Sequence, residues 1–182
     1  MQGHTLRGEW FQHGGRRSVQ QVTTATPMND TTHAYPDGKI PVLSAAVVRA
    51  SSEAAGHPVG RVFDGTSGPG ASQWIAGEAG DQTIIIAFHH PHVIGHVTME
   101  VEEREVARTQ EVQLAFSSDG GVTYRELVRQ EFNFSPEGTT WEREDWAVGQ
   151  FNVTHLRLAI KPDKGRKDLF AKLTSLAILE VI

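Results

Sequence analysis

Cysteine is absent from the sequence, and this excludes disulfide bonds, thiolate metal sites and cysteine nucleophiles. Long apolar runs are also missing, because no stretch approaches the ~18 consecutive apolar residues that a membrane-spanning helix needs. The opening residues MQGHTLRGEWFQHGGRRS contain neither an apolar run nor a small-residue cleavage site, so no secretory signal is predicted. A cytoplasmic location is therefore the default expectation.

A surplus of positive charge is lacking as well. The formal net charge of -5 at pH 7 removes the electrostatic case for a general binder of nucleic acid or anionic membranes, although a local basic patch is compatible with an acidic total. We therefore expect no nucleic-acid partner. The candidate loops offer charges and small residues in place of apolar spikes, so we expect no membrane insertion.

Motifs of catalysis are also missing. The sequence has no G-x-S-x-G elbow, no H-E-x-x-H, no P-loop and no G-x-G-x-x-G that opens a helix. Two carboxylate clusters leave a glycosidase as an alternative, because two opposed carboxylates can hydrolyse a glycoside; they are Glu102, Glu103, Glu105 and Glu142, Glu144, Asp145. Charged runs in loops are usually solvated, and we expect no enzymatic activity.

What the sequence does contain is a series of short alternating runs separated by turns. Ile84 to Phe88 is apolar on both faces, as in a central strand, and Val97, Met99 and Val101 share one face of the next run. Asp119-Gly120-Gly121 follows another alternating run and predicts a hairpin. No 3.6-residue apolar period is sustained over residues 80–182. These patterns predict an all-β fold, an antiparallel β-sandwich of about eight strands in the jelly-roll manner.

The same patterns divide the chain. Residues 1–40 are predicted to form an N-terminal hairpin or strap plus a linker, because two strand-like runs flank a Gly-Gly pair and a turn-rich segment follows. Residues 41–182 are predicted to form the sandwich. His89 to His92 is interpreted as a connection between strands, and Leu173 to Ile182 as one last strand.

Several segments, in this order, carry a family resemblance: PVGRVFDG, QW, VIGHV, AFSSDGG, VTHLRL and LTSLAILE. With them, residues 41–182 resemble a discoidin domain, also called coagulation factor 5/8 type C, of the galactose-binding-like superfamily. Such domains are β-sandwiches whose loops at one end bind sugars, phospholipid head groups or protein surfaces. QWIAGEAGDQTIIIAF also resembles the N-terminal domain of a DNA-repair scaffold that binds partner proteins. The resemblance implies a non-catalytic module with a carbohydrate or related polar ligand, or alternatively a protein-interaction scaffold or assembly subunit.

The resemblance also implies a structural Ca²⁺ at the turn after Phe63, held by Asp64, by Thr66 or Ser67, and by Glu180. Hard oxygen ligands at a tight turn suit calcium. The alternative is an Asp64 that accepts hydrogen bonds from the turn amides and needs no metal. Trp74, at the end of the same segment, is predicted to lie in the core.

Three loops are candidates for the ligand: residues 51–57, 102–110 and 161–168. In the last of these, KPDKGRKD, Arg166 suits a carboxylate or phosphate because its guanidinium donates paired hydrogen bonds; the alternative is an ordinary solvated loop. Trp141 either stacks on a sugar or covers a sandwich edge. The candidate ligand-binding residues are Arg104, Arg108, Trp141, Lys164 and Arg166.

A histidine cluster, His89, His90, His92 and His96, suggests a Zn²⁺ or Ni²⁺ site, since convergent imidazoles bind these ions. Alternation along a strand sends neighbouring side chains to opposite faces, however, so a solvated loop is the favoured interpretation.

Overall fold

The computed structural model of the protein describes residues 37–181. The predictions for residues 1–36 lie outside the described residues. The described chain contains eight strands, one short α-helix and one turn of 3₁₀ helix. No helix in this part of the chain is long and apolar enough to cross a membrane.

The elements follow one another as a series of strands with little helix between them. Their bounds are α1 Val42–Ala45, β1 Ala46–Ala50, the 3₁₀ helix Val59–Phe63, β2 Trp74–Ala79, β3 Gln82–Glu102, β4 Arg108–Ser117, β5 Arg125–Phe134, β6 Trp141–Lys161, β7 Phe170–Leu173 and β8 Ser175–Glu180.

Strands β3 and β6 are long, and each contributes to both layers of the sandwich. The first half of β3 pairs with the second half of β6 in the larger sheet. The strand order of this sheet is β1-β3-β6-β4-β5. The same six-stranded sheet continues beyond a break in register between Ala87 and His92, where the far half of β3 pairs with the near half of β6 and with β8. We call this part the smaller sheet and the other part the larger sheet. Strands β2 and β7 form a separate pair, and all pairings are antiparallel. The predicted antiparallel β-sandwich is confirmed.

Two sequence-based predictions need correction. His89 to His92 is not a connection but lies inside β3, because the strand passes from one sheet to the other at the register break and exposes His89, His90 and Pro91 there. Pro91 is tolerated at a break because no ladder hydrogen bond is required of it. The predicted last strand, Leu173 to Ile182, corresponds to β8, and the prediction omits the separate strand β7, which pairs with β2 while β8 pairs with β3.

The core lies between the larger and smaller sheets, where the alternating apolar residues predicted from the sequence meet. Val97 and Val101 are fully buried and Met99 is 1% exposed. Trp74 is fully buried as predicted, and its Nε1 donates to the carbonyl of Ser52 at 3.1 Å. Removing a buried aromatic ring of this size lowers the free energy of unfolding by about 3–5 kcal/mol. Trp74 therefore stabilises the fold.

The two ends of the sandwich are formed by different loops. We call the end formed by residues 51–58, 103–107, 135–140 and 162–169 the loop end. We call the end formed by the β3 bend and residues 118–124 the bend end. The described chain begins and finishes at the bend end, where the N–H of Glu180 donates to the carbonyl of Gly38 and the N–H of Val181 donates to that of Val93.

Candidate functional site

The three predicted ligand loops come together at the loop end. The N–H of Lys164 donates to the carbonyl of Thr109 at 3.0 Å, which joins the loop after β6 to the start of β4. The hydroxyls of Ser51 and Ser52 both donate to Gln82 at the start of β3. Loops that are distant in sequence thus share one end of the sandwich, opposite the ends of the described chain.

A buried ionic cluster supports this end from beneath. Glu103 Oε2 lies 3.0 Å from Arg108 Nη2, and both side chains are 1% exposed. Lys172 Nζ lies 3.3 Å from the same oxygen. Burial acts to raise the pKa of Glu103, but the backbone N–H of Glu105 and the charges of Arg108 and Lys172 together hold the pKa below its ordinary value. Glu103 is therefore a carboxylate that fastens the β3–β4 loop to β7.

Arg108 was predicted to bind a ligand, but its position makes it part of the interior. Its Nη1 donates to the carbonyl of Phe170 at 2.7 Å, and burial lowers its pKa despite the nearby Glu103 and Asp163. A guanidinium enclosed in this way is not presented to a ligand, and we leave Arg108 out of the candidate binding surface. The sequence alone placed it in a loop, whereas it is the first residue of β4.

Asp163 shapes the basic loop of residues 161–168. One oxygen of its carboxylate accepts from the N–H groups of Gly165 and Arg166, both at 2.8 Å, and the other accepts from the N–H of Thr109 at 3.0 Å. Burial acts to raise the pKa of Asp163, but these amides lower it. The turn is thus held by its own aspartate, and it directs Lys164 and Arg166 outward.

The cations of this loop are exposed but not free of partners. Lys164 Nζ lies 2.6 Å from Glu131, and Arg166 Nη2 lies 3.0 Å from Asp168. The side chains of Lys164 and Arg166 are 49% and 50% exposed. Exposed pairs of this kind contribute only about 0–1 kcal/mol, so an anionic or hydroxyl-bearing ligand can compete for both cations.

Arg104 and Trp141 meet at Glu102, the last residue of β3. Arg104 Nε donates to Glu102 at 2.6 Å, and its side chain is 58% exposed. Trp141 is the register partner of Glu102 on β6, and it is half-buried. Its buried Nε1 has no hydrogen-bond partner within residues 37–181. Trp141 stands on the part of β6 that pairs with β3, and both predicted roles of its ring stay predictions.

Phe170 is an exposed aromatic residue at the loop end that sequence reasoning missed. Its side chain is 45% exposed, and it begins β7 directly after the basic loop. The alternation of a four-residue strand is too short to show which face a residue occupies. A phenylalanine two residues after the charged segment KGRKD was the available signal.

The predicted calcium ligands are not all brought together. Asp64 Oδ1 accepts from the N–H and the hydroxyl of Thr66, and Oδ2 accepts from the hydroxyl of Ser72. Glu180 is paired with His92 on the bend of β3. No group of three or more His, Asp or Glu side chains suited to a metal ion occurs in residues 37–181. A Ca²⁺ ion needs six to eight oxygens, so the arrangement fits the hydrogen-bonded turn better than a calcium site.

The glycine-rich loop of residues 64–73 is fixed by two carboxylates from β3. Glu100 accepts from the N–H of Gly68 at 2.6 Å, and Glu102 accepts from the N–H of Gly70 at 3.0 Å. Both carboxylates are almost fully buried, and Arg143 and Arg104 balance their charges. Gly68 and Gly70 have φ of 83° and 84°, a backbone region that glycine adopts without steric cost.

The four histidines do not converge on a metal. His92 is buried and bonded to Glu180, His96 Nδ1 lies 3.1 Å from Asp145, and His89 and His90 are exposed at the bend. The two paired imidazoles thus contact different carboxylates on different strands.

Comparison with other proteins finds similarity in structure but not in sequence. No protein-family model matches the chain, and no curated protein sequence matches it. The C-terminal domain of a chitobiase from Bacteroides fragilis matches with a TM-score of 0.58 and 15% identity, over 79% of this chain and 97% of that domain.

Two carbohydrate-binding modules of Clostridium perfringens are similar in the same way. The third family 32 module of a family 31 glycoside hydrolase matches with a TM-score of 0.57 and 13% identity, over 83% of this chain and all of the module (100%). The family 32 module of NanJ, solved in complex with galactose, matches with a TM-score of 0.55 and 14% identity, over 79% and 98% of the two chains. The chain therefore has the same β-sandwich fold as these modules.

Proposed function

We propose that the chain is a non-catalytic carbohydrate-binding module of the discoidin type, and that its loop end holds the sugar. One observation carries the proposal: an exposed aromatic ring, Phe170, stands beside exposed cations at the loop end of a galactose-binding-like sandwich. Fold alone does not select a ligand, so the proposal rests on the chemistry of this end.

A sugar offers a binding protein two kinds of surface, and the loop end has a group for each. The C–H face of a pyranose packs on an aromatic ring, and Phe170 provides that ring. Hydroxyl and acidic groups accept hydrogen bonds from guanidinium and ammonium groups, which Arg104, Lys164 and Arg166 provide. The buried pair of Glu103 and Arg108 positions the loops and does not touch the ligand.

The neighbours support this proposal in a general way. The NanJ module is described in complex with galactose, and another neighbour of similar fold is a lectin domain in complex with the Lewis b antigen. These ligands belong to those proteins. For this chain they make carbohydrate the ligand class to test first, and a protein partner the alternative.

The experiment is a glycan array followed by calorimetric titration with the best glycan. We expect saturable binding that Phe170→Ala weakens about five- to 150-fold, since loss of a stacking ring removes about 1–3 kcal/mol. The matched control is Phe151→Ala, because Phe151 is 74% exposed at the bend end. Equal effects of the two variants would remove the loop end from consideration, and absence of binding to every glycan would overturn the proposal.

A structural Ca²⁺ at Asp64, Thr66 and Glu180 stays a prediction of the family resemblance. Thermal unfolding after treatment with a chelator, and again with added Ca²⁺, tests it. A specific ion would raise the melting temperature in wild type and not in Asp64→Asn, because binding to the folded state alone stabilises it. Identical melting curves in both conditions would show that the turn holds no calcium.

A further inference from the structure

We propose that the outer face of the larger sheet is a second carbohydrate site, one for an acidic polysaccharide with uronate carboxylates. The inference rests on the proposed carbohydrate-binding function but concerns a different part of the molecule from the loop end. We call this surface the arginine face. It consists of the outward side chains of β1, the near half of β3 and the far half of β6: Val47, Arg49, Thr83, Ile85, Ala87, His155, Arg157 and Ala159.

The outward direction of these residues follows from strand alternation. They alternate with Ile84, Ile86, Leu156 and Leu158, which are fully buried in the core. Successive side chains of a strand point to opposite faces, so the residues of the arginine face point to solvent. All of them are exposed or half-buried.

Two arginines stand on this face in one register row. Arg49 pairs with Ile85, and Ile85 pairs with Arg157. Two strand spacings separate the arginines, which is about 9.5 Å between their backbones. Arg157 extends from its backbone toward Tyr124, next to β5, so the two guanidinium groups are to be reached by one linear chain that crosses the strands.

Arg49 and Arg157 form no ion pair with a carboxylate of the described residues. Within residues 37–181, ion pairs occupy a different set of arginines, namely Arg104, Arg108, Arg129, Arg143 and Arg166. Arg157 instead lies over the ring of Tyr124, with 4.5 Å from its Cζ to the ring centroid. The contact restrains the guanidinium and leaves its N–H groups available.

No residue of the arginine face is acidic, although the protein as a whole carries a net charge of -5. The acid nearest along the row is Glu126, which lies beyond Ala115 on β5 and is held by two N–H groups of Arg129 at 3.0 and 2.9 Å. A guanidinium matches a carboxylate in bidentate geometry. The local charge thus complements an anionic ligand where the overall charge does not.

The floor between the arginines suits a sugar chain. Ile85, Ala87 and Ala159 are small or aliphatic and half-buried, so they offer a flat apolar surface to the C–H groups of a pyranose. Thr83 and His155 provide hydroxyl and imidazole groups beside this floor. A flat face with two fixed cations fits a linear acidic polysaccharide better than a compact monosaccharide.

The test is calorimetric titration with polygalacturonate and with the same polymer after methyl esterification, which removes the carboxylates and keeps the backbone. We expect binding of the acidic polymer only, weakened by salt because charge attraction is screened. Arg49→Gln and Arg157→Gln should each weaken binding about tenfold. The double variant should weaken it more than either single variant, because each guanidinium is proposed to bind its own uronate carboxylate.

Arg129→Gln is the matched control, because this exposed arginine of the same sheet already holds Glu111 and Glu126. Unchanged affinity in the double variant, or equal binding of the esterified polymer, would overturn the proposal. Equal binding of a DNA oligonucleotide through the same arginines would also overturn it. Neutral glycans are titrated in parallel and test the loop end. Loss of binding at the arginine face can therefore be distinguished from loss of binding at the loop end.

Discussion

Two turn loops of this protein begin with the same Asp-Gly pair but are held in different ways. The first comprises residues 64–73 and the second residues 118–124. Burial acts to raise the pKa of Asp64, but hydrogen bonds from Ser72 and Thr66 lower it below its ordinary value. Hydrogen bonds from Ser117 and Thr123 hold the pKa of Asp119 well below its ordinary value.

The second loop is largely self-contained. Asp119 accepts from the N–H groups of Val122 and Thr123 and from the hydroxyls of Ser117 and Thr123. The first loop needs residues that lie far away in the sequence, because Glu100 and Glu102 bind the amides of Gly68 and Gly70. A loop that is fixed by its own aspartate can be predicted from sequence, whereas one fixed by a distant strand cannot.

The largest effect is expected in the ionic cluster of the loop end, because the side chains of Glu103 and Arg108 are each only 1% exposed. Glu103→Leu leaves Arg108 buried without its carboxylate, and we expect a loss of about 3–5 kcal/mol in the free energy of unfolding. Urea denaturation followed by tryptophan fluorescence measures it. Glu105→Gln is the control, because Glu105 is an exposed partner of Lys172, and its loss should stay below about 1 kcal/mol. Equal losses would refute the distinction.

The same carboxylate predicts a pH dependence. The pKa of Glu103 in the folded protein lies below its ordinary value of 4.5, so its contribution to stability is complete above that pH. The contribution is lost as the pH falls through the folded-state pKa. Glu103→Gln, although less stable throughout, should lose less of its remaining stability between pH 5 and pH 3, where the wild type falls more steeply. Parallel curves of unfolding free energy against pH would show that Glu103 does not contribute in this way.

An intermediate effect is expected at the first loop. Glu100→Gln weakens the acceptor for Gly68 and removes the charge that holds Arg143, and we expect a loss of about 1–3 kcal/mol. Amide hydrogen exchange should quicken at Gly68 in particular. Glu144→Gln, on the neighbouring strand β6, serves as the control and should leave that amide unchanged. Protection of Gly68 that survives in Glu100→Gln would mean that the loop holds itself.

The smallest effect is expected at the second loop. Asp119→Ala removes acceptors that serve only nearby donors on an exposed turn, so the melting temperature should fall less than in Glu100→Gln. Changes in amide chemical shifts should be confined to residues 117–124 and to Thr154, whose hydroxyl oxygen accepts from the N–H of Gly120. A larger fall than in Glu100→Gln would reverse the order proposed for the two loops.

The strands of the sandwich could be predicted because the patterns that mark them involve residues close together in the sequence. Val112, Leu114 and Phe116 alternate on one strand and all three are buried, and Asp119-Gly120-Gly121 marks the turn that follows. Each of these patterns depends on residues a few positions apart, which a single sequence displays. The short strand β7 was missed because four residues are too few to show an alternating pattern.

The candidate site was less predictable, because burial decides which charges a ligand can reach. Arg104 and Arg108 belong to the same charged segment, yet one is exposed and the other is enclosed by Glu103 and the carbonyl of Phe170. Phe170 was overlooked for the converse reason, since an apolar residue next to a strand is ordinarily expected in the core. Such distinctions depend on contacts between distant segments.

The passage of β3 and β6 through both sheets also governs how the chain folds. Every pairing of β3 with β6, from Gln82 with Ile160 to Glu102 with Trp141, joins distant parts of the sequence, and such pairings must overcome the entropy of closing long loops before any contact is gained. Until β6 has paired with β3, neither the larger nor the smaller sheet is complete. Intermediates that contain one finished layer are thus disfavoured, and we expect slow refolding with a single kinetic phase.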